Sequence, residues 1–171
     1  MTDQEKLATL WDERNVSKVI LTFGRALDTG NWDSYCSCLT DPLNLDFQRL
    51  TGHGEVTVTH RLLTRWATAF FEPLRRHHVY SNFAITLDGD RAHALVYMTS
   101  RHWKSTDMGA VFNNQYGWYD FDLQRDGETW LINRIKHDFR WVDGNAGLFD
   151  LNNPELLDSM QAIFCKANLA S

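Results

Sequence analysis

The sequence predicts an α+β fold in which helices and one short strand precede four long strands. Apolar residues recur every three or four positions from residue 7 to residue 27, as in an amphipathic helix. Beyond residue 74, β-branched and aromatic residues dominate, and the turn sequences DGD (88–90) and RDGE (125–128) interrupt them. Helices followed by consecutive antiparallel strands are typical of a curved sheet with helices on one face.

The N-terminal half is predicted to be mainly helical. Thr2 or Asp3 caps the first helix, whose first turn is acidic, and Gly30 ends it. The expected elements that follow are a short helix at 32–39, a turn at Asp41-Pro42, a strand at 43–48, a loop at 51–54 and a helix at 59–74.

The C-terminal half is predicted to form long strands and a final helix. The strands are expected at 75–87, 91–104, 114–124 and 129–141, with a flap-like loop at 105–113 and a helix from Asn153 to about residue 167. We therefore expect one domain over 1–145 and a C-terminal helical extension over 146–171. The extension is apolar enough to pack on the domain or on a neighbouring subunit.

The strand at 75–87 carries a row of polar side chains. A strict period of two places its residues on two faces, with Val79, Phe83, Ile85 and Leu87 on one and His78, Tyr80 and Asn82 on the other. The polar face suits either a half-solvated surface or the wall of a polar pocket, and the pattern alone leaves both open.

Composition excludes several classes of function. A net charge of −5 and a pI near 5.7 argue against nucleic acid or an anionic membrane as a partner. No apolar run has the length of a membrane span, and the first five residues are polar, so we expect a cytoplasmic protein. Aromatic residues make up 13% of the chain, which indicates a pocket for a flat apolar ligand or a large interface in a homo-oligomer, dimer or trimer.

Neither a metal nor a cofactor is expected. Three cysteines are an odd number and do not suggest a disulfide framework, and Cys36 and Cys38 do not face one another on a helix. The seven histidines lack the clustered spacing of a zinc or iron site, and no glycine-rich phosphate loop is present. Chemistry without a cofactor is the natural interpretation.

Three short strings resemble a known family. LDTGNWD at 27–33, HVYSNF at 78–83 and GWYD at 117–120 are similar, in this order and spacing, to the SnoaL-like branch of the nuclear transport factor 2 superfamily. The resemblance runs from about residue 7 to residue 141. It implies a cone in which a curved antiparallel sheet wraps around the N-terminal helices. The branch includes polyketide cyclases, scytalone dehydratase, bile-acid dehydratase and lindane dehydrochlorinase, as well as members without catalytic activity.

The resemblance implies a catalytic pair at His78 and Asp28, where catalytic members carry a His–Asp dyad. From the residues alone, Asp28 would be expected only to bond the turn that follows the helix. As a pair, the carboxylate would hold one imidazole nitrogen and leave the other free as a general base. His77 points the other way on the strand and is the weaker candidate.

Other side chains are expected to bind substrate. Arg140 lies where related dehydratases keep an arginine, and it would bind a carbonyl or a developing oxyanion; a surface arginine is the alternative. Further candidates for the pocket wall are Tyr80, Tyr116, Trp118 and His102. One departure concerns Phe23, which replaces the tyrosine that dehydratases of this fold use as a proton donor. Tyr80 or Tyr116 would then supply the acid, or the reaction needs none, or the chain is not a dehydratase.

The expected activity is that of a cofactor-independent lyase or isomerase, resembling a dehydratase or cyclase. Its small-molecule substrate would be mostly apolar, aromatic or polycyclic. Two alternatives remain: a non-catalytic module that binds small molecules, and the small subunit of a ring-hydroxylating dioxygenase, which shares the fold. A closed cavity with Asp28 and His78 facing each other would favour the enzyme.

Overall fold

The computed structural model describes residues 1–149 and 152–170, and these form helices against a six-stranded sheet. Positions 150, 151 and 171 of the predicted extension lie outside the described residues. The helices are α1 (Asp3–Thr29), α2 (Trp32–Cys36), α3 (Gln48–Thr51), α4 (His60–Phe71) and α5 (Pro154–Ile163). The strands are β1 (Leu39–Asp46), β2 (Val56–Val58), β3 (Arg75–Asp88), β4 (Arg91–Thr106), β5 (Gly109–Asp126) and β6 (Thr129–Gly144).

The sheet has the order β2-β1-β6-β5-β4-β3. Neighbouring strands are antiparallel except β1 and β6, which are parallel. The sheet is therefore mixed, whereas an antiparallel sheet was predicted. The α+β cone expected from the sequence is confirmed. Each of β4, β5 and β6 has 16 to 18 residues, which makes the sheet long enough to curve around α1.

The core lies between α1 and the inner face of the sheet. One stripe of α1 is buried against residues from β5 and β6, as an amphipathic helix requires. The largest fully buried side chains in this layer are Trp130, Phe23, Phe121, Ile20, Leu123, Ile132 and Ile135. No helix in the described part of the chain is both long and apolar enough to cross a membrane.

Helix α1 begins and ends where the sequence predicts. The Thr2 hydroxyl accepts from the Glu5 amide while the Glu5 carboxylate accepts from the Thr2 amide, which forms a capping box. Gly30 closes the helix at φ 69°, a left-handed conformation that glycine adopts without a steric penalty. This end of the helix positions Asp28.

A bulge in β3 corrects the predicted alternation. Pairing with β4 shifts register between Ser81 and Ala84, and Asn82 adopts φ 51°. The shift moves the strand period by one residue, because a bulge adds a residue on one strand. His78 and Tyr80 before the bulge therefore face the core together with the apolar residues after it, namely Phe83, Ile85 and Leu87. Val79, predicted to be core, is 47% exposed.

Three local predictions were wrong. The segment 105–113 is no flap, since β4 and β5 extend through it to a tight turn between Thr106 and Gly109. The Asp41-Pro42 step lies within β1, and β1 replaces the end of the predicted second helix. Strand β2 had not been predicted at all; its three residues pair with β1.

The C-terminal extension packs on α4 of the same chain. The Phe164 ring meets the Trp66 ring edge-on at 5.6 Å, and Ile163 is fully buried. Arg65 of α4 pairs with two carboxylates of α5, those of Glu155 and Asp158. These contacts bring the extension to the side of the cone where α4 and the inner face of the sheet meet.

Candidate active site

Asp28 and His78 meet inside the cone. The carboxylate Oδ1 of Asp28 lies 2.7 Å from His78 Nδ1, and the two side chains are 18% and 2% exposed. The backbone amide of His78 also donates to Asp28 Oδ2 at 2.9 Å. Burial by itself would raise the pKa of Asp28, but hydrogen bonds from the His78 side chain and backbone hold it below its ordinary value. The carboxylate is therefore ionised at neutral pH.

Arg76 fixes the position of this pair. Its guanidinium donates to the carbonyl of Leu27 at the end of α1 and to the carbonyl of Phe71 at the end of α4. Carbonyl groups in the last turn of a helix have no partner within the helix, so a cation bonds them favourably. Arg76 thus ties both helix ends to β3, two residues from His78.

His78 forms part of the wall of a narrow cavity between the helices and the sheet. The volume is about 40 Å³, room for about three water molecules. Apolar and aromatic side chains form most of the wall: Phe23, Leu27, Phe47, Leu50, Ala67, Phe70 and Phe71. Polar side chains make up the rest: Tyr35, Trp66, His78, Ser100, His102, Gln115, Tyr119 and His137. None of the described lining residues is Asp, Glu, Lys or Arg.

The C-terminal extension contributes an aromatic side chain next to this cavity. The Phe149 ring stacks on Phe70 with centroids 4.6 Å apart and meets His102 edge-on at 5.3 Å. Both partners line the cavity. A ligand as large as an aromatic ring therefore requires these side chains to rotate, because the space between them holds only a few waters.

Strand register explains the row of polar groups in the wall. His78 of β3 pairs with Ser100 of β4, and Ser100 pairs with Gln115 of β5. Directly paired residues project to the same face of a sheet, so the three side chains form a row across the inner face. His78, which bonds Asp28, is at one end of this row. This row was not visible in the sequence, because its members are separated by 15 or more positions.

Several buried polar atoms in the wall have no hydrogen-bond partner among the described residues. They are Trp66 Nε1, Ser100 Oγ, both ring nitrogens of His102, and His137 Nδ1. The Asn113 backbone lies near His102 without meeting hydrogen-bond geometry with either nitrogen. An unpaired buried polar atom costs about 1–3 kcal/mol, and native structures contain few of them. A polar ligand, or water in a cavity of this size, would find several hydrogen-bond partners here.

Two histidines and three tyrosines in and beside the cavity are uncharged at neutral pH. Burial and the nearby His78 lower the pKa of His102 to about 3, and the same two causes lower that of His137 to about 4. Burial raises the pKa of the phenols Tyr35, Tyr80 and Tyr119. The cavity therefore offers neutral imidazoles as well as phenols that keep their protons.

The predicted substrate-binding residues fall in different places. His102 lines the cavity, and its ring centroid is 5.7 Å from that of His78. Tyr80 packs beside the cavity against Gly24, where a Cβ atom would overlap the phenol ring, and its hydroxyl is buried without a partner among the described residues. Gly24 thus provides the space that Tyr80 occupies.

The other three predicted residues lie on the outer face of the sheet and not in the cavity. Tyr116, Trp118 and Arg140 line a separate, open depression there. The Tyr116 hydroxyl donates to Asp143, and its ring stacks on Trp141. Their predicted position beside His78 is wrong. Alternation along β5 turns Tyr116 and Trp118 outward, and Arg140 is the exposed extra residue of a bulge in β6.

Sequence reasoning missed Tyr35, Ser100, Tyr119 and His137. The alternation of β4 and β5 would have placed Ser100 and Tyr119 on the apolar face, since each lies two residues from a buried neighbour. His137 had a weaker signal, a histidine among the apolar inward positions of β6. Tyr35 was hidden within a short helix.

A possible metal-ligand group lies far from this cavity. His93, Asp120 and Asp122 place one ligand atom each within 4.8 Å of one another on the outer face of the sheet. His93 Nδ1 is 2.9 Å from Asp122 and Nε2 is 3.4 Å from Asp120, contacts that hydrogen bonding between the histidine and the carboxylates explains. The nearby Arg134 guanidinium disfavours a cation at this position.

The fold and the site define a small α+β protein whose sheet encloses a cavity with His78 in its wall and Asp28 hydrogen-bonded to that histidine. The sequence model of the SnoaL-like domain matches residues 8–136. The chain belongs to this family. No curated protein matches the sequence.

Solved structures with the same fold include proteins of named and unnamed activity. The protein Kfla4162 of Kribbella flavida superposes with a TM-score of 0.75 at 22% identity, over 79% of this chain and 95% of its own. A candidate scytalone dehydratase of Novosphingobium aromaticivorans gives 0.66 at 13%, over 80% and 89%. The hexachlorocyclohexane dehydrochlorinase LinA-type3 of Novosphingobium barchaimii gives 0.63 at 12%, over 88% and 99%. At these identities the likeness shows the fold alone.

Proposed function

We propose that the protein is a cofactor-independent lyase or isomerase in which His78 acts as a general base. The contact between Asp28 Oδ1 and His78 Nδ1, in the wall of a cavity, carries this proposal. Since Nδ1 is engaged by the carboxylate, Nε2 is the nitrogen left for a substrate. Asp28 holds the ring in this tautomer and stabilises the imidazolium that forms when His78 takes a proton.

The cavity favours a small, mostly apolar and uncharged substrate. Its described lining residues carry no permanent charge, and aromatic rings dominate the wall. Such a wall suits an aromatic or polycyclic ring, whose flat faces pack on other rings.

Elimination is the reaction that best fits the structural neighbours. Dehydratase and dehydrochlorinase are names for the loss of water and of hydrogen chloride. In an elimination, His78 takes the proton from carbon, the freed electron pair forms the carbon–carbon double bond, and the leaving group departs with its own bonding pair. Tyr35 lines the cavity and keeps its proton, so it is a candidate to protonate the leaving group.

A substrate screen followed by variants of the dyad tests the proposal. Hydroxylated and chlorinated aromatic or polyketide-like compounds are incubated with the protein, and loss of water or hydrogen chloride is followed by mass spectrometry. His78→Ala should lower the rate of conversion by about a hundred- to ten-thousandfold, the usual contribution of a general base. Asp28→Asn keeps the shape but removes the charge, and should also be severe.

The double variant decides whether the two residues act together. It should be barely slower than His78→Ala alone, because residues that act as a unit do not have additive effects. His93→Ala, on the outer face, is the matched control and should retain full activity. Additive losses, or variants that unfold without changing the specific activity of the folded fraction, would refute the dyad. Circular dichroism reports the folded fraction.

A further inference from the structure

Tyr119 of β5 and His137 of β6 lie side by side in the wall of the cavity. They are direct partners in the register of β5 and β6, and their ring centroids are 5.1 Å apart. They are only 5% and 4% exposed, and both line the same cavity as His78. Neither residue touches the Asp28–His78 pair through a recorded hydrogen bond, so the dyad does not explain why a phenol and an imidazole are buried here.

Both residues have hydrogen-bonding capacity that the described protein does not use. His137 Nδ1 is buried without a partner in the described chain. No hydrogen bond of the Tyr119 hydroxyl is recorded among residues 1–149 and 152–170, although the side chain is buried. Leaving His137 Nδ1 buried and unpaired is costly, and a polar group on a ligand in the cavity would bond it together with the neighbouring Tyr119 hydroxyl.

The chemistry of the pair selects the kind of group that it would bind. Burial keeps the Tyr119 hydroxyl protonated and His137 neutral at ordinary pH. A phenol donates a hydrogen bond, and a neutral imidazole nitrogen either donates or accepts one. Around them lie aromatic rings, including Phe47 at 5.5 Å from His137 and Phe121 at 5.2 Å from Tyr119. An uncharged oxygen on an apolar ring matches these surroundings, whereas an ion would lose its hydration without gaining a counter-charge.

We propose that Tyr119 and His137 form a second polar subsite, which binds an uncharged oxygen function, a hydroxyl or a carbonyl, on a ring-shaped ligand. If the protein is the enzyme proposed above, this ligand is the substrate, and the subsite orients it with the reacting carbon toward His78. The substrate class then narrows to apolar rings that carry at least one hydroxyl or carbonyl group besides the reacting centre.

Equilibrium binding of two probes of matched shape tests the subsite without requiring any turnover. Phenol and toluene differ in a hydroxyl that replaces a methyl group, and the dissociation constant of each is measured by NMR titration. The preference is the ratio of the two dissociation constants. Tyr119→Phe removes only the hydroxyl, so this ratio should shift in favour of toluene by about three- to tenfold relative to the unmodified protein, which corresponds to the loss of one neutral hydrogen bond. His137→Phe keeps a ring in place and should shift the preference in the same direction.

Tyr116→Phe is the matched control, since Tyr116 lies on the same strand but faces outward. It should leave the preference unchanged. An equal preference in Tyr119→Phe and the unmodified protein would overturn the proposal, as would an equal shift in the control or failure of both probes to bind at millimolar concentration. The readout is binding and not turnover. If His78 proves not to be a general base, the proposed enzymatic function is refuted, and the binding data still decide whether the subsite exists.

Discussion

At the scale of single residues, the unusual feature is the number of neutral polar groups buried together. His102 and His137 are buried without a carboxylate partner, and burial is the first cause of the fall in their pKa values. Asp28, by contrast, stays ionised although it is partly buried, because hydrogen bonds from the side chain and the backbone of His78 offset the cost of burying its charge. The cavity thus combines one ionised site with a largely uncharged wall.

These two histidines predict that the fold is sensitive to acid. Their pKa values are about 3 and about 4 when folded, against about 6.5 in an unfolded chain. Between about pH 4 and 6.5 the unfolded state therefore binds more protons, and the free energy of unfolding decreases as pH falls through this window. The decrease is at most about 1.4 kcal/mol per pH unit for each histidine. Asp28 adds a loss only below this window, since its pKa is lowered from 3.8.

Urea unfolding between pH 4 and pH 8 measures this effect. His102→Phe should flatten the dependence on pH, because it removes one of the two groups. His53→Gln replaces an exposed histidine that has no carboxylate partner among the described residues, and it should leave the slope unchanged. A slope between pH 4 and 6.5 that is the same in His102→Phe and the unmodified protein would contradict the assignment.

At the scale of elements, the bulge in β3 decides which side chains enter the cavity. Without it, a strand that buries Phe83, Ile85 and Leu87 would turn His78 toward solvent. The left-handed conformation of Asn82 accommodates the extra residue, and asparagine tolerates this conformation better than most residues.

We therefore expect stability to depend on the residue type at position 82. Asn82→Gly should be as stable as the unmodified protein or nearly so. Asn82→Val should lose about 1–2 kcal/mol or more in the free energy of unfolding, because a β-branched residue is strained at φ 51°. Thr86→Val, on the same strand but outside the bulge, is the control for chemical denaturation. Equal stability of Asn82→Val and the control would show that the bulge relaxes without strain.

At the scale of the whole molecule, the outer face of the sheet carries an exposed aromatic patch. Tyr97 is 47% and Trp141 is 58% exposed, and Tyr116 and Trp118 lie between them on neighbouring strands. Monomeric proteins seldom expose large contiguous apolar patches, so this face is the candidate interface of the expected homo-oligomer.

Light scattering at micromolar concentration tests this assembly. We expect a mass of two or three times 19.9 kDa. The double variant Tyr97→Glu/Trp141→Glu should shift the mass toward a monomer, because burying two carboxylates in an interface is costly. Trp11→Glu changes an equally exposed tryptophan on α1 and should leave the mass unchanged. A monomer at these concentrations would exclude the assembly.

The order of the long elements and the Asp28–His78 pair were predictable from the sequence, whereas the short α3 and β2 were not predicted. Helix α1 has both its capping box and its terminal glycine in the sequence, so its bounds follow from local chemistry. The hairpin turns fixed the pairing of β3 with β4 and of β5 with β6. The pair itself came from family strings and not from geometry, because a separation of 50 residues carries no local signal.

Only the tertiary structure decided which other side chains join the site. Strand alternation fails after a bulge, and the shift at Ser81/Ala84 reversed the face that a strict period of two would assign to His78 and Tyr80. On β5 the alternation is unbroken and puts Tyr116 and Tyr119 on opposite faces, so placing Tyr116 in the pocket and overlooking Tyr119 was an error of interpretation. His137 likewise becomes recognisable only when strand register brings it opposite Tyr119, since cross-strand contacts depend on pairing and not on nearness in the chain.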